Sequence, residues 1–174
     1  MPRNIEIKAR IASVDALLPK VRAIADQGPF EITQEDIFLA CATGRLKLRI
    51  LSKEQGELIF YRRSDRRGPK ESFYLRSPTS APESFRQVLT LAYGETGRVQ
   101  KHRTLFVVGR TRIHLDKVTG LGHFLELEVV LEEHEPSEVG VQEANDLLLR
   151  LGVDASQLIE GAYVDLLAAE SRAS

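Results

Sequence analysis

The sequence has no tryptophan, one methionine and one cysteine, Cys41. A lone thiol excludes an internal disulfide and gives a metal site at most one thiolate, so Cys41 reads as a small buried hydrophobe. Aromatic residues make up 6% of the chain, too few for the stacking platforms of single-strand nucleic-acid binders. No run approaches the roughly 20 apolar residues of a membrane-spanning helix, and the N-terminus lacks the apolar stretch of a secretory signal. A soluble, cytoplasmic protein without a membrane partner is the expectation. There is no excess of charge either, since 24 Lys and Arg face 25 Asp and Glu. Affinity for an anion must come from the arrangement of charges, and a nucleic-acid partner is disfavoured.

What is present is alternation. At 174 residues the chain suits one domain spanning 1–174, with a core over about 2–167. The opening MPRNIEIKAR places Ile5 and Ile7 on one face and Asn4, Glu6 and Lys8 on the other. SVDALLPKVRAIAD then carries a Ser13 cap signal and helical apolar spacing, with Pro19 predicting a kink or an early break. FEITQEDIFLA, GRLKLRIL, GELIFYRR and the short SFYLR read as strands, and PTSAPESFRQVLTLAYG as a helix stopped by Gly94. GRVQKHRTLFVVG, RTRIHLDKV and HFLELEVVLEE return to strand. SEVGVQEANDLLLRLG and SQLIEGAYVDLLAAE predict two final helices, the last with an apolar stripe of Leu158, Ile159, Tyr163, Leu166 and Leu167. There is no repeat of solenoid length. The fold class is α+β, an antiparallel sheet or barrel of about eight strands with helices on it.

Each strand has an apolar face and a charged face, and the charges are sorted. Arg45, Lys47 and Arg49 share parity, as do Lys101 and Arg103; Arg110, Arg112, His114 and Asp116 form a mixed set; Glu126 and Glu128 form an acidic one. An antiparallel sheet with one wet side explains any single strand. Sorting by strand is harder to explain that way, because like charges opposite one another repel. A multivalent anion and a divalent cation between the strands would convert that repulsion into attraction. If the sheet closes, the charged faces line a lumen and helices coat the apolar outside, the reverse of a small barrel filled with hydrophobic side chains. Alternate cations about 6–7 Å apart suit successive phosphates, and paired carboxylates suit Mg²⁺ or Mn²⁺.

NIEIK, RLKLR, KHR and RTRIHLDKVTGLGHFLELE together resemble the CYTH, or triphosphate tunnel metalloenzyme, superfamily. The resemblance runs from about Pro2 to Leu167 and is most specific from Lys101 to Glu128, where it is similar to the class IV adenylate cyclase branch, with thiamine and inorganic triphosphatases as relatives. It implies an eight-stranded antiparallel tunnel, closed or nearly so, with a charged interior. Glu6, Asp116, Glu126 and Glu128 would hold Mg²⁺ or Mn²⁺, and Lys8, Lys47, Arg49, Arg62, Lys101, Arg103 and Arg112 the phosphates. Lys8, Arg49 and Arg103 would act on the reacting groups, and a lone His114 reads equally well as structural. Three positions depart from the pattern. The signature Glu-X-Glu-X-Lys begins here with Asn4; Arg62, Arg63 and Lys70 compete for one role in YRRSDRRGPK; and Gly161-Ala162-Tyr163 stands where the family often has Arg-Ser-Tyr, predicting a lost polar contact.

The implied activity is metal-dependent cleavage of a phosphoanhydride bond in a small triphosphate: ATP cyclised to cyclic AMP and pyrophosphate, or thiamine triphosphate or tripolyphosphate hydrolysed. Non-catalytic binding of nucleotide or polyphosphate is the reading from a different class. Monomer and homodimer are both compatible with the sequence.

Overall fold

The computed structural model describes residues 2–64 and 67–173. Its strands are β1 (Arg3–Ile11), β2 (Gln27–Leu39), β3 (Arg45–Ser52), β4 (Gln55–Arg63), β5 (Lys70–Thr79), β6 (Glu95–Val108), β7 (Thr111–Val118) and β8 (Gly122–Leu131). Its helices are α1 (Val14–Ile24), α2 (Pro82–Tyr93), α3 (Ser137–Leu151) and α4 (Tyr163–Ala173). The strands pair antiparallel in the order β1-β5-β4-β3-β2-β6-β7-β8, and β8 returns to β1 to close the ring. The β1/β5 seam pairs only Arg3 to Glu6 against Phe73 to Lys70, whereas β1 pairs with β8 along its whole length.

The period-2 pattern decides which way each side chain points. Ile5 and Ile7 of β1, Ile113 and Leu115 of β7, and Leu125, Leu127 and Val129 of β8 face outward and pack on Val14, Leu17 and Val21 of α1 and Ala144, Leu147, Leu148 and Leu151 of α3. Full burial of one such aliphatic side chain contributes about 1.5–3 kcal/mol, so this outer layer is the principal core. Leu89 and Phe85 of α2 cover Ile37, Leu39, Leu46 and Leu48 in the same way. A third cluster lies inside one end of the ring, where Phe38, Ile59, Tyr61, Val99 and Phe124 meet Tyr163 of α4. The main core is therefore outside the barrel, and the lumen is left for polar groups.

Several elements differ from the sequence reading. α1 runs through Pro19 without a break; Pro19 lies on the exposed face, where a missing helical hydrogen bond costs least. The Ser13 hydroxyl accepts from the Ala16 amide, as its cap signal predicts. β5 extends on both sides of SFYLR. The predicted last helix is split: a 3-10 turn, Ala155–Gln157, precedes an extended stretch in which Leu158 bridges to Ala9 and the Ile159 amide donates to the Lys8 carbonyl at 3.0 Å. Gly161, at φ 86, then turns the chain into α4. Cys41 is half-buried past the end of β2, its Sγ 3.7 Å from the Thr43 hydroxyl, rather than in the core. No described helix is long and apolar enough to cross a membrane.

Candidate functional site in the lumen

The inward faces enclose a cavity of about 280 Å³. Among the described residues, eight cationic side chains line it, Lys8, Lys47, Arg49, Arg63, Arg76, Lys101, Arg103 and Arg112, against five carboxylates, Glu6, Asp36, Glu57, Glu126 and Glu128. A chain of nearly balanced charge thus has a positive interior, and a low-dielectric wall concentrates that field.

The cations converge on one acid. Asp36 of β2 is 2% exposed; Lys47 Nζ donates to its Oδ2 at 2.8 Å, Arg49 Nε to Oδ1 at 2.8 Å and Arg49 Nη2 to Oδ2 at 2.9 Å. Lys101 Nζ stands 3.9 Å away. Register explains the convergence, because Asp36 is directly opposite Arg49 on β3 and Lys101 lies across the β2/β6 ladder, opposite Gln34. Burial alone would raise the Asp36 carboxyl; Arg49, Lys47 and Lys101 outweigh it and hold the group well below the usual carboxylate range. Lys101 is held well below the ordinary lysine value, by burial and then by Arg103.

The opposite wall is acidic. On the β1/β8 ladder Glu6 faces Glu128 and Lys8 faces Glu126; on β7/β8 Arg112 faces Glu128 and His114 faces Glu126. Glu6 accepts from Arg63 Nη1 at 2.7 Å, yet burial and the neighbouring Glu126 and Glu128 leave its carboxyl raised. Burial would also raise Glu126, but Lys8, His114 and Arg103 hold it well below the carboxylate range. Burial brings Lys8 down to about 8, with Glu126 pulling the other way. Ligand atoms of His114, Glu126 and Glu128 all lie within 4.8 Å of one another. Carboxylate oxygens are the donors that Mg²⁺ and Mn²⁺ take, so the wall fits such an ion. Asn4 Oδ1, Gln34 Oε1, Arg112 Nε and His114 Nδ1 have no hydrogen-bond partner among the described residues, and all four residues line the cavity. Buried polar atoms are rarely left so, and their clustering here marks a space built for a polar occupant.

One end is closed by α4. The Tyr163 hydroxyl donates to Asp116 Oδ2 at 2.8 Å, its ring lies 3.9 Å from Lys8 Nζ and 5.1 Å from Lys101 Nζ, and it tilts against Phe124. Arg63 Nη2 donates to the Gly161 carbonyl. The polar contact predicted to be lost at Gly161-Ala162-Tyr163 is thus made by a main-chain oxygen and a phenol.

Of the sequence-predicted residues, Glu6, Lys8, Lys47, Arg49, Lys101, Arg103, Arg112, Glu126 and Glu128 meet in the cavity. Arg62 does not: it is exposed, its guanidinium over the rings of Phe60 and Phe73, and Arg63 takes the inward position. Lys70 is buried opposite Glu6 but outside the cavity lining. Asp116 stands behind the wall; Arg103 Nε and Nη2 hold both its oxygens at 2.8 Å and Tyr163 adds a third donor. Three donors hold its two oxygens, so it orients Arg103 from outside the cavity lining. Arg110 leaves the charged face altogether and pairs with Glu135 and Glu143 on the outside. Asp36, Glu57 and Arg76 were missed, Arg63 was left in competition with Arg62 and Lys70, and Tyr163 was placed only in an apolar stripe. Asp36 was readable, since it shares parity with Gln34 and Phe38. Arg63 was not, because Tyr61 and Phe60 make both faces of β4 look apolar.

An antiparallel β-tunnel with its core outside, cations on most of its inner wall and carboxylates on the rest defines a class of anion- and metal-binding tunnel proteins. The chain belongs to the CYTH domain family, whose family model matches residues 2–163. Members of this family are metal-dependent enzymes of the adenylate cyclase or triphosphatase type. The chain is 24% identical over 169 residues to the adenylate cyclase CyaB of Aeromonas hydrophila, covering 92% of this chain and 86% of that protein. Its fold is similar to the PH1012 protein of Pyrococcus horikoshii, with a TM-score of 0.83 at 21% identity over 94% of this chain and 99% of the other. It is also similar to HpAC1 of Hippeastrum, an adenylyl cyclase candidate with a dominant triphosphatase activity, with a TM-score of 0.68 at 15% identity over 98% and 96% of the two chains.

Proposed function

We propose that the protein draws a triphosphate-bearing small molecule and a divalent cation, Mg²⁺ or Mn²⁺, into its lumen and cleaves a phosphoanhydride bond. The observation that carries this is the sorting of charge inside one enclosed space, with Lys47, Arg49, Lys101 and Arg103 on one side and Glu6, Glu126 and Glu128 on the other. The fixed guanidinium forks of Arg49 and Arg103 suit phosphoryl oxygens, and Asp36 and Asp116 hold those forks in place before any ligand arrives. Such preorganised donors stabilise charge as it develops, with little reorganisation at the moment of reaction. Lys8 Nζ, 3.6 Å from Glu126, stands where the acidic and basic walls meet, from which it would reach a phosphate beside an ion held by Glu126. Glu126 and Glu128 would hold the cation, which when bound would supply further neutralisation of the phosphoryl oxygens.

With ATP the reaction is cyclisation: the ribose 3′ oxygen bonds to the α-phosphorus, the α–β anhydride bond breaks, pyrophosphate leaves and the hydroxyl proton goes to solvent. The relation to the Aeromonas cyclase supports this reaction. Hydrolysis of tripolyphosphate or thiamine triphosphate is the second reading. A cavity of about 280 Å³, just below the ~300–1,000 Å³ usual for small-molecule sites, favours it, because a phosphate chain needs less room than a whole nucleotide.

The test is incubation of purified protein with ATP, tripolyphosphate or thiamine triphosphate under Mg²⁺ or Mn²⁺, with products separated by chromatography. Cyclic AMP with pyrophosphate supports the first reading and orthophosphate the second. Unchanged substrate in every case refutes catalysis and leaves a binding module. Glu126→Gln and Arg49→Ala each abolish turnover if the lumen is the site.

A further inference from the structure

His114 is the nitrogen donor of the acidic wall. It sits on β7 opposite Glu126, is 4% exposed, and its Nδ1 has no hydrogen-bond partner among the described residues. The nearest carboxylate oxygen among the described residues, Glu126 Oε1, is 3.6 Å away, beyond hydrogen-bond reach. A buried ring nitrogen beside a carboxylate but too far from it for a hydrogen bond, with a second carboxylate close by, leaves room for an ion among them. The 4.8 Å limit on the spacing of the three ligand atoms nearly matches the span of one ion, since two donors at ~2.0–2.2 Å on opposite sides of a metal lie up to about 4.4 Å apart. The carboxylate that the sequence offered for this position, Asp116, has both oxygens taken by Arg103 and Tyr163. His114 is therefore the group on β7 with a donor atom to spare.

We propose that His114 Nδ1 is a direct metal ligand, forming with Glu126 and Glu128 a mixed nitrogen and oxygen site that selects Mn²⁺, Co²⁺ or Ni²⁺ over Mg²⁺. Carboxylates alone suit Mg²⁺ and Mn²⁺ alike. An imidazole adds little for the hard Mg²⁺ ion and progressively more along the series from Mn²⁺ to Ni²⁺. Arg112 pairs with Glu128 Oε2 at 3.1 Å and Lys8 with Glu126 Oε2 at 3.6 Å, while Glu126 Oε1, the oxygen nearest His114, has a cation no closer than Arg103 Nη2 at 3.9 Å. The inference deepens the metal part of the function proposed above. Its test reads the ligands of the ion and not turnover, so the two fail separately.

The experiment is pulsed electron paramagnetic resonance on the full chain loaded with one equivalent of Mn²⁺, with and without tripolyphosphate, beside titrations with Mg²⁺ and Co²⁺. The expected result is the modulation of a directly bound ¹⁴N nucleus in the unaltered protein and its loss in His114→Gln. Loss of even an outer-shell partner costs about 10–100-fold in metal affinity, so His114→Gln weakens Co²⁺ by at least about tenfold while Mg²⁺ stays within about twofold. Absence of Mn²⁺ binding, absence of nitrogen modulation in the unaltered protein, or its persistence in His114→Gln overturns the assignment. If His114→Gln does not fold, ¹⁵N-histidine labelling of the unaltered protein must convert the ¹⁴N pattern to ¹⁵N; an unchanged pattern overturns it equally.

Discussion

Asp36→Asn removes one charge and almost no volume from the centre of the cationic wall. The carboxylate accepts three hydrogen bonds from Lys47 and Arg49 and has Lys101 within 3.9 Å. The amide keeps one acceptor oxygen and turns a donor toward donors, leaving Lys47, Arg49 and Lys101 without their shared anion. Breaking a buried pair from one side costs about 3–5 kcal/mol. The side chains of Lys47 and Arg49 keep 13% and 12% of their exposure, so some hydration survives and the lower figure, about 3 kcal/mol, applies. In a domain of this size about 1 kcal/mol moves the melting temperature by ~2–4 °C, so Asp36→Asn melts about 6–12 °C lower. The sign of the pH dependence follows from the depressed carboxyl. Its stabilisation is present in full above the unfolded value of about 4 and drains away as pH falls toward the folded value, so native and variant converge below about pH 4. Tripolyphosphate returns an anion to the orphaned cations and therefore stabilises the variant more than the native protein. The assay is thermal denaturation followed by circular dichroism at pH 7 and at pH 3.5, with and without tripolyphosphate. A variant melting within about 2 °C of native at pH 7, or gaining less from tripolyphosphate than the native protein does, refutes the reasoning.

Three further perturbations test other parts of the structure. Arg63→Ala weakens tripolyphosphate binding by at least about tenfold, the loss of one charge-assisted hydrogen bond or more, whereas Arg62→Ala, on the outer face, leaves calorimetric affinity within about twofold. Tyr163→Phe deletes the phenol that donates to the fully buried Asp116. A hydrogen bond to a charged group contributes about 1.5–3 kcal/mol, so chemical denaturation shows a loss of that order with an unchanged m-value. Gly140→Ala places a methyl 2.6 Å from Ile5 Cγ1 and 2.7 Å from Leu131 Cδ2; pushing α3 off β1 and β8 costs about 1–3 kcal/mol, read in the same denaturation experiment.

How much of this was legible in the sequence depended on the range of the interaction. Period-2 alternation is a local property, and it placed Glu6, Lys8, Lys47, Arg49, Lys101, Arg103, Glu126 and Glu128 on inward faces without knowledge of any partner strand. The same alternation failed at Arg62 and Arg63, where β4 is apolar on both faces and only the closed ring says which side is the lumen. It failed at Asp116 for a different reason: parity correctly turned it inward, but the fork of Arg103 and the phenol of a residue 47 positions later reached it first. The continuous last helix expected from Leu158 to Leu167 was interrupted because the β1 backbone offered the Ile159 amide a carbonyl that no local pattern reveals.

The sequence by itself determined the α+β class, the strand faces and the sorting of charge by strand, because each follows from side chains that alternate along an extended backbone. Only the tertiary structure decided that the ring closes, that Asp36 gathers the cations, that α4 caps one end with Tyr163, and that His114 rather than Asp116 has a donor atom free beside Glu126 and Glu128. Those are contests between groups far apart in the chain for the same few hydrogen bonds, and their outcome depends on distances that exist only once the strands are in register.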